Sequence, residues 1–256
     1  MRIVSLCPSL TELVFDLGLG GSLAGITRWC VHPAEGVKQI EKVGGTKDPD
    51  VARIAALAPD LVLVNEEENR AEDAAALRAA GLALHASFPR TVQETADMVR
   101  SIGAAVQRPA EAERIARDIK ARAARARAAA AGAPPVRFAY LIWRKPWMAV
   151  NRDTFAHALL ALAGGRNVFG ERAERYPEIS AGDLAAADPE LVLLSTEPFP
   201  FTEKHAAELA AASGLSPERL RIADGEYLSW HGSRTPDGID YAAGLIGEAA
   251  GRRQSR

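Results

Sequence analysis

The chain reads as an α/β protein of two similar three-layer lobes with mainly parallel sheets, joined by one long rigid helix. Three observations predict this. Short apolar runs suited to buried strands alternate with segments suited to helices. One strand-bearing stretch recurs 130 positions later. Between the copies lies a run of about 22 residues without proline or glycine, roughly 33 Å long at helical rise.

The elements follow in order. Ile3–Leu6 is a buried strand. Ser9 and Glu12 have capping-box spacing and open a helix that runs to Leu17-Gly18. Ala24–Thr27 is a second strand, followed by the loop Arg28-Trp29-Cys30-Val31-His32-Pro33 and the turn Val43–Lys47. Asp50 caps a helix through Leu57, and Leu61–Val64 is continuously apolar, as in a strand covered on both faces. A helix over 71–80 and a strand over Leu82–His85 complete the alternation. Thr91 and Glu94 form a second capping pair, opening a helix to about Val106.

Ala110–Ala131 is built from Ala, Arg, Lys, Glu and Ile, with too few large apolar residues for a core helix. Gly132-Ala133-Pro134-Pro135 ends it, and Val136–Ile142 begins a new strand. Residues 54–66 read IAALAPDLVLVNE and residues 184–197 read LAAADPELVLLSTE. Each has a helix end, a Pro-acid pair, a buried strand and a glutamate. The expected organisation is an N-terminal lobe over 1–105, a connecting helix over 106–133 and a C-terminal lobe over 134–250. A short basic tail over 251–256 is expected to be disordered.

Composition removes several classes. The chain has 256 residues, is 48% hydrophobic and 25% charged, and carries a net charge of −2. That is globular, not disordered, and lacks the basic excess of a nucleic-acid binder. Two cysteines are too few for a disulfide scaffold or a four-thiolate zinc site. No apolar run approaches the roughly 20 residues of a membrane-spanning helix. Met1-Arg2 passes directly into strand with no secretory signal. The chain as it stands is expected to be cytoplasmic, and periplasmic or otherwise extracytoplasmic if a signal was removed.

No G-x-S-x-G, H-E-x-x-H or P-loop occurs, so no enzyme class suggests itself. All four tryptophans fall in expected loops: Trp29, Trp143 and Trp147 flanking Arg144, and Trp230 beside His231. Aromatic side chains outside the carboxyl ends of strands suit a small-molecule pocket. Cys30 and His32, with His231 as a third ligand, offer sulfur and imidazole to a metal. The alternative is packed cysteine and hydrogen-bonded histidine. Glu66-Glu67-Glu68 and Glu72 read first as a solvated face.

The stretches RIVSLCPSLTELVFDLGLG, VGGTKDPDVARIAALAPDLVLV and PELVLLSTEPFP resemble the substrate-binding proteins of cobalamin and iron-siderophore ABC importers. This is the helical-backbone metal receptor group, with the class III periplasmic-binding-protein fold. The resemblance spans nearly the whole chain. It implies a binding protein and no enzyme, and a monomer that takes a corrinoid or chelated-metal ligand in a cleft between lobes. It requires no cofactor; cobalamin or a chelated metal is the expected ligand. Aromatic positions of the family fall on Trp29, Trp147 and Trp230, while Asn65 stands where the family has an aromatic.

Trp143 joins them as a wall, and Arg144 and Arg234 suit an anionic chelate. The resemblance also implies docking of one carboxylate per lobe on a permease, drawn from Glu66 or Glu72 and from Glu197 or Glu203. The alternative is an intracellular enzyme or metal-handling protein on the same fold, with Cys30, His32 and His231 as ligands.

Overall fold

In a computed structural model, residues 1–254 are described. They group into two compact units. The first comprises residues 1–89, 93–118 and 231–234; the second comprises 90–92, 119–230 and 235 onward.

The first unit holds β1 (Ile3–Ser5), α1 (Pro8–Asp16), β2 (Leu23–Ile26), β3 (Glu41–Lys42), α2 (Val51–Ala56), β4 (Leu61–Asn65), α3 (Ala71–Ala79) and β5 (Leu84–Ser87). It also holds nearly all of α4 (Val92–Ala105) and the first turns of α5 (Pro109–Ala130), whose later turns belong to the second unit. The sheet order is β3-β2-β1-β4-β5, all parallel. Val4, Leu6, Val62, Val64, Ile54 and Leu77 pack into one apolar cluster. Full burial of each such side chain is worth about 1.5–3 kcal/mol.

The second unit holds β6 (Val136–Trp143), β7 (Trp147–Ala149), α6 (Phe155–Leu162), β8 (Gly165–Asn167), β9 (Glu178–Ile179), α7 (Ala181–Ala187), β10 (Leu191–Ser195), α8 (Glu203–Ser213), β11 (Leu220–Ala223), α9 (Gly225–Ser229) and α10 (Thr235–Gln254). Its sheet runs β11-β10-β6-β7-β9, with β8 also paired to β6. β10, β11 and β8 are parallel to their neighbours. β7 alone runs antiparallel, to β6 on one side and β9 on the other, so the sheet is mainly parallel, as expected, with one reversed strand.

The sequence repeat corresponds to a repeated piece of structure. Before each repeated proline the chain turns left-handed, at Ala58 (φ 44°) and Asp188 (φ 42°). The next acid then grips the first strand of its unit. Asp60 Oδ2 accepts the backbone N–H of Arg2 at 2.7 Å, and Asp60 N donates back to Arg2 O at 2.9 Å. Glu190 Oε2 accepts from Arg137 N at 2.8 Å, and Glu190 N donates to Arg137 O at 2.8 Å. Each pair sets the register of the repeated strand beside its first strand.

Several local expectations are corrected. α1 starts at Pro8, with Cys7 as an N-cap that makes no side-chain cap bond. Proline suits the first helical position because its φ is preset and it has no N–H to leave unpaired. Ser9 and Glu12 therefore form no capping box; both turn to residues 231–234. The strand expected at Leu82–His85 lies at Leu84–Ser87, in register with Val62–Asn65. Asp50 does cap α2, accepting from Arg53 N at 3.0 Å.

The tail expected to be disordered continues α10 through Gln254. Arg253 holds it there, pairing with Glu190 and donating to the carbonyls of Pro134 (3.0 Å) and Pro135 (2.7 Å). Ser255 and Arg256 lie outside the described residues.

Candidate functional site

Open α/β sheets bind ligands outside the carboxyl ends of their strands, at the point where strand order reverses. In the first unit that point lies between β1 and β4. Here it is occupied by the chain's own residues 231–234. His231 lies between Ser9, whose Oγ is 3.4 Å from Nδ1, and Asn65, whose Nδ2 is 3.0 Å from Nε2. A Cβ on Gly232, whose φ is +111°, would stand 3.6 Å from Leu13. Ser233 bonds Asp16. Arg234 clasps Glu12 through two bonds, at 2.8 and 2.6 Å. Ser9, Glu12 and Leu13 are spaced i, i+3 and i+4, so they share one face of α1. Residues 231, 232 and 234 meet that face.

Asn65 is a scaffold residue. It is 1% exposed, and both ends of its amide are engaged. Oδ1 accepts the backbone N–H groups of Glu67 (3.0 Å) and Glu68 (3.2 Å), while Nδ2 donates to Ser87 O (3.0 Å) and faces His231. Asn69 continues the turn, accepting from Asn65 N and donating to Leu6 O and Thr46 O. Burial of the imidazole lowers the His231 pKa from 6.5 to about 4, so the ring is neutral at pH 7.

Cys30 is equally enclosed. Its Sγ lies 3.1 Å from both Thr11 Oγ1 and Thr27 Oγ1. Cys7 Sγ is 3.3 Å from Ser9 Oγ, and burial pushes its thiol pKa up. Both cysteines are free thiols. Among the described residues no group of three His, Cys, Asp or Glu could hold a metal. The set Cys30, His32 and His231 is therefore not assembled as a metal site. The cysteine is saturated by hydroxyls and the histidine by Ser9 and Asn65.

The first unit also exposes a few large apolar side chains. Trp29 is 58% exposed, and Val31 and Phe88 are exposed as well. The Arg28 guanidinium lies 5.7 Å from the Trp29 ring centroid and pairs with Asp48. Asp48 sits in the 43–50 loop, where Gly44 adopts φ +101° and an added Cβ would lie 2.4 Å from Asp48 O. Only glycine fits that turn.

The second unit places an aromatic cluster at the carboxyl ends of β6 and β10. Trp143 ends β6 and Trp147 begins β7, so both are strand residues of a tight antiparallel hairpin, not loop residues. Trp143 meets Phe199 edge-on at 5.7 Å, and Phe199 meets Phe201 at 4.8 Å. Trp147 stacks on Phe201 at 5.8 Å with a 6° interplanar angle. His205 closes the group against both phenylalanines. Trp143 remains 41% exposed. Phe199 and Phe201 were missed in the sequence, although Pro198-Phe199-Pro200-Phe201 directly follows a buried strand, the position that singled out the tryptophans.

Trp230 caps the end of α9 and is only 8% exposed, so it is core and not an open wall. Neither arginine suggested for an anionic ligand is available as a lone charge. Arg144 pairs with Glu208 and lies 5.8 Å over the Trp147 ring, and Arg234 is held by Glu12. Glu66, Glu72 and Glu203 are exposed, and Glu72 is 3.6 Å from Arg70. Glu197 is half-buried, its backbone N–H bonded to Ser195 Oγ. His32 is half-buried and precedes a cis proline.

Two units with repeated strand–helix pieces and aromatic surfaces at strand ends define a ligand-binding class, and residues 3–234 match the family described as periplasmic binding protein. The chain belongs to that family, which is one of binding proteins and not of enzymes; the alternative reading as an enzyme or metal-handling protein is not favoured. Among its relatives is the vitamin B12-binding protein of Vibrio cholerae serotype O1, 24% identical over 239 residues, covering 93% of this chain and 86% of that protein. The vitamin B12-binding protein of Vibrio parahaemolyticus serotype O3:K6 is 27% identical over 205 residues, covering 80% of this chain and 71% of that one.

Among solved structures, the periplasmic heme-binding protein RhuT from Roseiflexus sp. RS-1 matches with a TM-score of 0.84 and 26% identity, covering 97% of this chain and 98% of that chain. The periplasmic vitamin B12 binding protein BtuF of Vibrio cholerae shares the fold, with a TM-score of 0.83 at 23% identity and 97% of each chain covered. No helix among the described residues is long and apolar enough to cross a membrane.

Proposed function

We propose that this chain is the substrate-binding component of an ABC importer, working on the outer side of the inner membrane and carrying a corrinoid or heme-like metal chelate. The aromatic cluster at the carboxyl ends of β6 and β10 carries this reading. Its exposed face is Trp143 with Phe199 set edge-on against it, a weakly polar aromatic surface on which the flat ring of a macrocycle can pack. Exposed Trp29, beneath the Arg28 guanidinium, supplies a second such face on the other unit. The relatives named for vitamin B12 and heme bind ligands of the same shape.

For the permease we propose Glu72 and Glu203 as the docking carboxylates. Both are exposed in the first turn of the helix that follows the repeated strand, α3 and α8. Glu66 is the second choice in the first unit, and half-buried Glu197 is the weaker one in the second.

The test is tryptophan fluorescence titration with cyanocobalamin, hemin and a ferric siderophore, repeated on Trp143→Ala and Trp29→Ala. Saturable quenching by one ligand, weakened in both variants, is expected. No quenching by any of the three at micromolar concentration refutes the proposal. Charge reversal at Glu72 and Glu203 is expected to abolish uptake while leaving ligand affinity unchanged.

A further inference from the structure

His231 is 6% exposed and has no surface for a ligand, yet it occupies the crevice where sheets of this type bind one. The orientation of the Asn65 amide is set by the two backbone N–H groups that its Oδ1 accepts, so Nδ2 is the atom facing the imidazole. A donor opposite Nε2 requires that nitrogen to be the acceptor, which places the ring proton on Nδ1, facing Ser9 Oγ.

Asn65 is the first member of a chain of contacts leading to the surface. Its backbone N–H binds Asn69, and Asn69 Nδ2 holds Thr46 O at 2.9 Å. Lys47 Nζ reaches back to Glu67 O at 2.6 Å. Asp48, next along the same loop, pairs with Arg28, and Arg28 lies over Trp29. A second path runs from Ser9 through Cys7 and Thr11 to Cys30, the residue after Trp29.

We infer that His231 is a positioning residue for the Trp29 face: its Nε2 lone pair holds Asn65, and through the 65–69 turn and the 43–50 loop it sets where Trp29 stands. The inference rests on the proposed ligand-binding role only for its effect on affinity. A buried histidine with a purely structural role would cost stability when replaced but would leave Trp29 unmoved in the folded protein.

Two substitutions separate the two ring nitrogens. In His231→Gln the side-chain oxygen can reach the Nε2 position and accept from Asn65. In His231→Asn the amide stops short of that point and can serve only Ser9. The readouts, on full-length protein below its melting temperature, are the fluorine NMR line of 5-fluorotryptophan at Trp29 without ligand and the affinity for cyanocobalamin.

His231→Gln is expected to keep the wild-type line and an affinity close to wild type. His231→Asn is expected to shift or broaden the line and weaken binding about tenfold, the scale of one lost buried hydrogen bond. Nitrogen-15 NMR of the wild-type imidazole is expected to show Nε2 unprotonated. A protonated Nε2, or a Trp29 line that is the same in both variants, overturns the inference. If wild-type protein does not bind cyanocobalamin, the cobalamin arm of the functional proposal fails, while the Trp29 line still decides the role of His231.

Discussion

Acid should weaken this protein through His231 in particular. Burial lowers its folded pKa from 6.5 to about 4. In the unfolded chain the imidazole takes up a proton at the ordinary value. Between these limits the unfolded state binds more protons, so stability falls as pH falls. The contribution is fully present above pH 6.5, is lost on descent toward pH 4, and does not change further below. Each tenfold difference in proton affinity is about 1.4 kcal/mol, so the whole window is worth about 3 kcal/mol, and about 2 kcal/mol is lost between pH 7 and pH 4.5. That is a large share of the 5–15 kcal/mol typical of a domain.

The assay is urea unfolding of wild type and His231→Gln at both pH values. His85 and His157, whose pKa values are also lowered by burial, titrate in both proteins and cancel. So do Asp183 and Asp188, held down by hydrogen bonds from Ser180 and Arg219 respectively. Wild type is expected to lose about 2 kcal/mol more than the variant. Equal losses in the two proteins would refute the buried, neutral imidazole.

Three further outcomes are expected. Gly44→Ala should cost on the order of 2 kcal/mol, seen as a lowered melting temperature, because φ +101° and a 2.4 Å approach to Asp48 O leave no room for a methyl group. Glu190→Ala should destabilise by about 2 kcal/mol, while Asp60→Ala should cost well under about 1 kcal/mol. Glu190 also pairs with Arg253 and its side chain is 26% exposed, against 60% for Asp60; chemical denaturation compares them. Trp143→Ala should weaken cyanocobalamin or hemin binding at least about tenfold with little change in melting temperature, since the ring is 41% exposed; calorimetry and a thermal melt measure the two separately.

The Pro-acid pairs show how far local signals reach. Proline after a helix end, an acid and an apolar run are read within a dozen residues, and Pro59-Asp60 and Pro189-Glu190 each precede a strand where expected. Ser9 and Glu12 show where such signals stop. Their spacing suits a cap, but the proline one residue earlier starts the helix, and their partners come from residues 231–234. The tryptophans divide in the same way. All four were marked by proximity to strand ends, yet Trp230 is covered while Trp29 and Trp143 are open. Phe199 and Phe201 join the cluster without a local signal of that contact, because aromatic packing depends on which loops the topology makes adjacent.

From its sequence alone, the chain has its class, its repeated strand and its long helix near residue 110. Periodicity, capping and turn chemistry are properties of neighbouring residues, so they are legible without coordinates. The partners of the buried polar groups were decided only in three dimensions. His231 and Asn65 meet across 166 positions, and Cys30 meets Thr11 and Thr27. A buried polar group must be satisfied by whatever the fold brings within about 3 Å, and no local pattern records which residue that will be.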